Sequence, residues 1–313
     1  MDFQQSVAAF KTILTSINHD ILESFLLWTK DYVNDALREQ ERKDNANVIL
    51  DSIREDIRND LPLTASSPSE QFVKPSAGQN ADCDTSSTVH IDAFLYEEDD
   101  VDDLVERGLL SRNYCVHCLS RQVKPLTFIS HSASVPQIKF IFQYLLGDLR
   151  HRTVVDVGSR TGAILYGAYL YSEAPNILGI EIDPNFCQLQ QNIIDKYGMK
   201  NRIKVLFSDV LDQAEMINSA DVIVLNNVFE FFSSVEVQLR IWQFLFETVR
   251  KKDTVLVTVP SIEESLSNID AAIDVQTWVE PVNVDNVRKS AVLKYFPDED
   301  SSDLDDIFMY RVK

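Results

Sequence analysis

Between residues 153 and 259 the chain alternates short apolar runs with stretches whose apolar groups recur at three- and four-residue steps. Thr153–Val157, Ile177–Ile182, Ile203–Phe207, Val222–Leu225 and Thr254–Val259 have strand length, while Ala163–Tyr171, Pro184–Tyr197 and Val235–Val249 carry helical stripes. Strands that alternate with helices are joined by crossovers, which predicts an α/β fold: a mostly parallel sheet with helices on both faces. The second helix is the most sharply bounded. Asp183 is its expected N-cap, Pro184 its first residue, Phe186, Leu189, Ile193 and Tyr197 share a face, and Gly198 follows its end. Ile307–Val312 is expected to close the sheet as an antiparallel strand, and the strand before it falls within 276–294.

Upstream of the sheet the pattern differs. Phe3, Val7, Phe10, Leu14, Ile17, Ile21, Phe25, Trp28 and Tyr32 form one helical stripe, which Asn18 or Asp20 can cap and break. After the charged stretch Arg38–Asp44 a further helix carries Ile49, Ile53, Ile57 and Leu61 and ends at Pro62. Residues 1–62 therefore read as a helical region. Residues 63–88, rich in Ser, Thr, Pro, Gly and Asn, read as a flexible linker. Residues 89–150 hold an acidic stretch from Glu97 to Glu106, expected to be a solvated helix face. Residues 151–313 hold the sheet.

Composition narrows the functional classes. With 29 Lys and Arg against 49 Asp and Glu, the formal net charge is -20. A general nucleic-acid binder, which draws its affinity from cations meeting phosphates, is disfavoured. No apolar run approaches the roughly 20 residues of a membrane span. The segment from Met1 to Leu14 lacks the basic and apolar regions of a signal peptide. Four cysteines in 313 residues are too few for a disulfide scaffold, so a cytoplasmic or nuclear setting is expected. Cys115-Val-His-Cys118 is a single CxxC around His117, and Cys83 lies in the linker. A structural zinc needs four ligands, so ordinary thiols and no metal are expected.

Ligands of parallel α/β sheets bind outside the carboxyl ends of the strands. The loop after the first strand reads Val155-Asp156-Val157-Gly158-Ser159-Arg160-Thr161-Gly162. Gly158 permits a tight turn and close backbone approach, and Gly162 lets a helix begin with its free N–H groups toward a ligand. The second strand ends Gly179-Ile180-Glu181-Ile182-Asp183, where a carboxylate can accept both hydroxyls of a ribose. The third ends Phe207-Ser208-Asp209-Val210, placing an acceptor where an adenine amino group would lie. The fourth ends Leu225-Asn226-Asn227-Val228-Phe229. A nicotinamide-dependent dehydrogenase fits less well, because Gly158-x-x-x-Gly162 is not the Gly-x-Gly-x-x-Gly that holds a pyrophosphate.

This ordered set resembles the class I S-adenosylmethionine-dependent methyltransferases over about residues 125–313. The resemblance implies a Rossmann-like seven-stranded domain and S-adenosylmethionine as cofactor. It further implies that Asp156, Gly158, Ser159 and Gly162 form the loop around the methionine end, Glu181 holds the ribose, Asp209 with Val210 contacts the adenine, and Asn226 sits under the sulfonium facing the acceptor. The family usually has a third glycine where this chain has Arg160. A side chain tolerates positive φ poorly, which predicts a reshaped loop or weakened cofactor binding.

The acceptor is less sharply written. Val224–Phe231 is similar to a passage of the non-SET histone-lysine methyltransferases, where Asn and aromatic residues line a lysine channel. That family's acidic-Thr-Ser loop is absent, and Phe128-Ile129-Ser130-His131-Ser132 stands upstream instead. Thr127–Ser134 resembles the cofactor lid of many class I members, protein-carboxylate methyltransferases among them. Methyl transfer asks for in-line alignment and removal of any proton on the nucleophile. Glu230 is the nearest carboxylate for a basic acceptor and is equally an ordinary helix-start acid. Phe229, Phe231 and Phe232 either wall a cation site or fill core. No catalytic residue is assigned. The expected function is methyl transfer from S-adenosylmethionine, with a protein side chain preferred over a small molecule as acceptor. The alternative is a catalytically inactive scaffold of the same fold that acts through protein partners.

Overall fold

The computed structural model describes residues 1–70, 72–75, 77–78, 83, 87–116, 123–295 and 304–313. The chain divides into two compact units, Met1–Ile49 and Leu50–Lys313.

In the first unit, helix α1 (Phe3–Ser16) starts at a capping box: the Gln5 N–H donates to Asp2 Oδ1 at 2.8 Å, and Gln5 Oε1 accepts the Asp2 N–H. Asn18 supplies the break, its side chain accepting the Asp20 N–H. Helix α2 (His19–Asp60) then runs through Arg38–Asp44 without interruption. The sequence separates two helices there. The structure joins them, because Arg38, Arg42 and Lys43 meet Asp35 and Glu39 at three- and four-residue spacing and turn the charged stretch into paired helix surface. No residue of α1 is buried.

The second unit contains the predicted sheet. Strands β1 (Thr153–Val157), β2 (Asn176–Glu181), β3 (Ile203–Phe207), β4 (Val222–Asn226), β5 (Val255–Val259), β6 (Val279–Pro281) and β7 (Phe308–Val312) lie in the order β6-β7-β5-β4-β1-β2-β3. The pairs β1–β2, β2–β3, β1–β4 and β4–β5 are parallel, and β7 is antiparallel to both neighbours. The order reverses between β1 and β4, which opens a crevice at their carboxyl ends. A core of Val155, Ile223, Leu245, Leu256 and Trp278 fills one side of the sheet. Helix α4 (Ala163–Tyr171) follows β1, α5 (Pro184–Lys196) follows β2, and α6 (Val235–Thr248) follows β4. Asp183 caps α5 as predicted, accepting the Asn185 and Phe186 N–H groups.

The second unit begins inside α2, because Leu50, Ile53 and Ile57 are buried, and Arg54 and Arg58 donate to the Phe94 and Leu95 carbonyls. Within 63–88, the part from Ala65 to Glu70 is packed rather than free. Ala65 is fully buried, and Ser67, Ser69 and Glu70 are bonded to the sheet unit. Helix α3 (Glu98–Glu106) carries most of the acidic stretch. Only its Val101 is buried, as expected of a solvated face, and Asp100 and Asp102 pair with Arg58 and Arg112. No described helix is long and apolar enough to cross a membrane.

Candidate functional site

The site is built on the bend after β1. Gly158 adopts φ +71°, and a Cβ added there would stand 2.1 Å from Val228 Cγ2, so neither the backbone nor the space admits a side chain. Arg160 also adopts positive φ, +42°. Its partners hold this conformation. The Arg160 N–H donates to Glu181 Oε2 at 2.7 Å. Its guanidinium donates to Glu70 Oε1 at 2.9 Å, Asp92 Oδ2 at 2.7 Å and the Ala65 carbonyl at 2.8 Å, and lies 5.0 Å from the Phe186 ring centroid. The side chain thus leaves the bend and binds the Ala65–Asp92 region.

A cavity of about 410 Å³ opens at the carboxyl ends of β1 to β4, within the roughly 300–1,000 Å³ typical of small-molecule sites. Of the predicted residues, Gly158, Glu181, Asp209, Val210 and Asn226 line it. Asp156, Ser159 and Gly162 do not, and each has a physical reason. Asp156 is buried beneath the bend, its carboxyl pushed up to about 8 by burial and the neighbouring Glu181 charge. The Ser159 hydroxyl is turned inward, donating to Gln190 Oε1 at 2.8 Å. Gly162 begins α4 at φ +88° with its Cα against the Tyr166 ring. These three shape the bend from behind.

The cavity walls are polar in specific places. Glu181 receives the Asp183 N–H at 2.8 Å in addition to that of Arg160, yet burial still raises its pKa. Asp209 Oδ1 accepts the Leu211 N–H at 3.0 Å. Asn226 Oδ1 is buried with no hydrogen-bond partner, a group that a ligand donor would satisfy. Phe229 packs in the core against Trp242 and, together with Phe232, also lines the cavity.

Two wall residues have no signature in the sequence pattern, and a third, His131, comes from Thr127–Ser134, the stretch that resembles a cofactor lid. Ser69 and Glu70 reach the cavity from the segment read as linker, where Ser67 and Ser69 donate to the Asp183 carboxylate. His131 arrives from the segment before β1. Its Nε2 lies 2.8 Å from His90 Nδ1, its Nδ1 has no partner, and Phe72 stacks on both rings. Burial, with the charge of Arg160 and the presence of His90, pushes the His131 pKa down to about 2, so the ring stays neutral.

The remaining sequence candidates lie elsewhere. Cys115 is exposed, while His117 and Cys118 lie outside the described residues. Cys187 is half-buried with its thiol toward the Glu181 carbonyl, and burial pushes that thiol up to about 12. Among the described residues no group of three or more His, Cys, Asp or Glu could hold a metal ion.

No protein-family model matches the chain, and no curated protein matches it. Solved structures similar to it include an RNA methyltransferase from Salinibacter ruber in complex with S-adenosyl-L-homocysteine, 16% identical with a TM-score of 0.37, covering 57% of this chain and 91% of that one. Another is an O-methyltransferase from Bacillus cereus in complex with S-adenosylhomocysteine, 16% identical with a TM-score of 0.39, covering 59% and 83%. A methyltransferase from Geobacter sulfurreducens is 12% identical with a TM-score of 0.38, covering 59% and 81%.

Proposed function

We propose that the protein is an S-adenosylmethionine-dependent methyltransferase. One observation carries the reading. Four consecutive strand ends deliver a glycine bend, a buried carboxylate, a second carboxylate and an unpartnered amide oxygen to one cavity: Gly158, Glu181, Asp209 and Asn226. The cradle fits the cofactor's chemistry. Gly158 gives backbone access to the methionine end, Glu181 accepts from the ribose hydroxyls, Asp209 with Val210 faces the adenine, and the bare Asn226 oxygen stands for the sulfonium. The bound cofactor supplies an activated methyl carbon. The chain's residues fix its orientation, and burial strengthens each of those contacts by excluding water. A protein side chain is the acceptor we favour, in keeping with the acidic surface implied by a net charge of -20.

Titration calorimetry with S-adenosylmethionine and S-adenosylhomocysteine tests the reading. Both are expected to bind, and Glu181→Ala is expected to weaken binding about a hundredfold, as loss of two charge-assisted hydrogen bonds would, with an unchanged circular dichroism spectrum. Absence of binding at millimolar cofactor would reduce the domain to a scaffold.

A further inference from the structure

A second cavity, about 430 Å³, lies across the β4–α6 turn from the first. Asn227 borders both. The second cavity also takes Glu230 and Phe231 from that turn, Glu264 from beyond β5, and Tyr96 and Phe128 from the segment before β1. Its walls hold the carboxylates of Glu98, Glu230, Glu264 and Asp306 and, among the described residues, no Lys, Arg or His. Glu98 is answered by Arg112 at the rim. A recess of about 40 Å³ adjoins it, sharing Asn227, Glu230, Pro260 and Asn268. Thr258 lines the recess, 2% exposed, and its Oγ1 has no hydrogen-bond partner.

We propose that this cavity is the acceptor chamber and that it takes a basic side chain of a protein, an amine or guanidinium, which rests on the methyltransferase reading of the neighbouring site. Position is the first argument. An acceptor must approach the methyl carbon opposite the sulfur, and the chamber meets the cofactor cavity at the turn that carries Asn226 and Asn227. Charge is the second. Taking a cation out of water is costly unless opposite charge and further hydrogen-bonding groups receive it. Carboxylates, the Phe231 ring and, in the adjoining recess, the unpartnered Thr258 hydroxyl provide that reception, while the Tyr96 and Phe128 rings already carry the guanidinium groups of Arg58 and Arg112. Reach is the third. From Glu98 at the rim, α3 extends nine residues, about 13 Å, with Asp99, Asp103 and Glu106 exposed. A small amine has nothing to place against that surface, whereas a basic peptide flanking the inserted side chain does.

The step balances with the groups present. An ammonium entering the chamber loses one proton to Glu230 or Glu264 and thence to solvent. Its nitrogen lone pair forms the new N–C bond as the C–S bond breaks, and sulfur keeps the electron pair as a neutral thioether.

The test incubates the full chain and methyl-tritiated S-adenosylmethionine with a fractionated cell lysate, followed by acid hydrolysis of the protein fraction. Label is expected in N-methyllysine or N-methylarginine, stable to mild alkali. Glu264→Gln is expected to lower incorporation about tenfold, as loss of one charge-assisted contact would, with cofactor affinity from calorimetry within about twofold of the parent. Label in RNA, in alkali-labile carboxyl esters or in small molecules would overturn the proposal, as would no label at all or an unaffected Glu264→Gln variant. Failure to bind the cofactor would instead overturn the underlying methyltransferase reading.

Discussion

Two pairs of buried carboxylates flank the Gly158–Gly162 bend, and they are managed in opposite ways. Glu70 and Asp92, on the outer side, share the guanidinium of Arg160, with side chains 7% and 0% exposed. Asp156 and Glu181, on the inner side, receive no cationic side chain from the described residues. Burial raises the pKa of both, Glu181 is held by backbone N–H groups, and Glu181 faces the cavity. The outer pair is spent on structure. The inner pair leaves a carboxylate whose solvation a ligand's hydroxyls can complete. Arg160 makes the division, since its side chain serves the outer pair and its backbone N–H serves Glu181 of the inner one. A residue that looked like a defect in a glycine loop thereby becomes the tie between that loop and the Ala65–Asp92 region.

The largest expected effect comes from removing that cation. Arg160→Leu leaves Glu70 and Asp92 buried without their cation, though Asp92 keeps the Ser132 hydroxyl and the Phe94 and Leu95 N–H groups, and should cost about 3–5 kcal/mol in chemical denaturation. Arg160→Lys should recover only part, because one ammonium cannot reproduce the fork that reaches Glu70, Asp92 and the Ala65 carbonyl at once. A loss below about 1 kcal/mol, the scale of an exposed pair, would mean that the outer pair is solvated in solution and the contrast with the inner one fails.

The inner pair is probed by Asp156→Asn. Because the folded pKa is raised above the ordinary carboxylate value, the stability tied to protonating Asp156 is complete below about pH 4. It is lost as pH rises toward about 8. An amide has no such loss. Whatever fixed cost the substitution carries, the unfolding free energy of the variant should gain on the parent by up to about 1.4 kcal/mol per pH unit between pH 5 and 7. Parallel pH profiles would show that Asp156 is solvated or paired like the outer acids.

Much of the inner half was legible in the sequence, and the reason is local. Strand ends, a glycine bend and the N-cap of α5 are each set by neighbours within a few residues, so Glu181, Asp209 and Asn226 could be placed by counting from apolar runs. The outer half was not. Ser67, Ser69 and Glu70 are ordered by partners 90 to 116 positions away. Their own stretch, polar and rich in Ser and Pro, carries the composition of a linker. The apolar stripe of α1 shows the same limit from the other side. Its spacing resembles that of a core helix, yet none of its residues is buried, whereas eight of the nine residues of α4 are. Periodicity reports a face and leaves open what covers it.

Asp183 stands between the two extremes, a carboxylate held by neutral donors alone. Burial pushes its pKa up, but the hydroxyls of Ser69 and Ser67 and the N–H groups that start α5 outweigh it, so the net shift is downward. Ser69 donates to Oδ2 at 2.6 Å, while Ser67 and the Asn185 and Phe186 N–H groups remain when it is removed. Ser69→Ala should therefore cost only about 1 kcal/mol near pH 7. A carboxylate with a depressed folded pKa contributes stability that is present above its unfolded value, about 3.9, and lost as pH falls through the folded one. The gap between variant and parent should accordingly close in acid. A gap that persists unchanged to pH 2 would mean that Ser69 acts by packing the Ala65–Glu70 segment rather than through the Asp183 charge, and would place that segment's hold on the site with Arg160 alone.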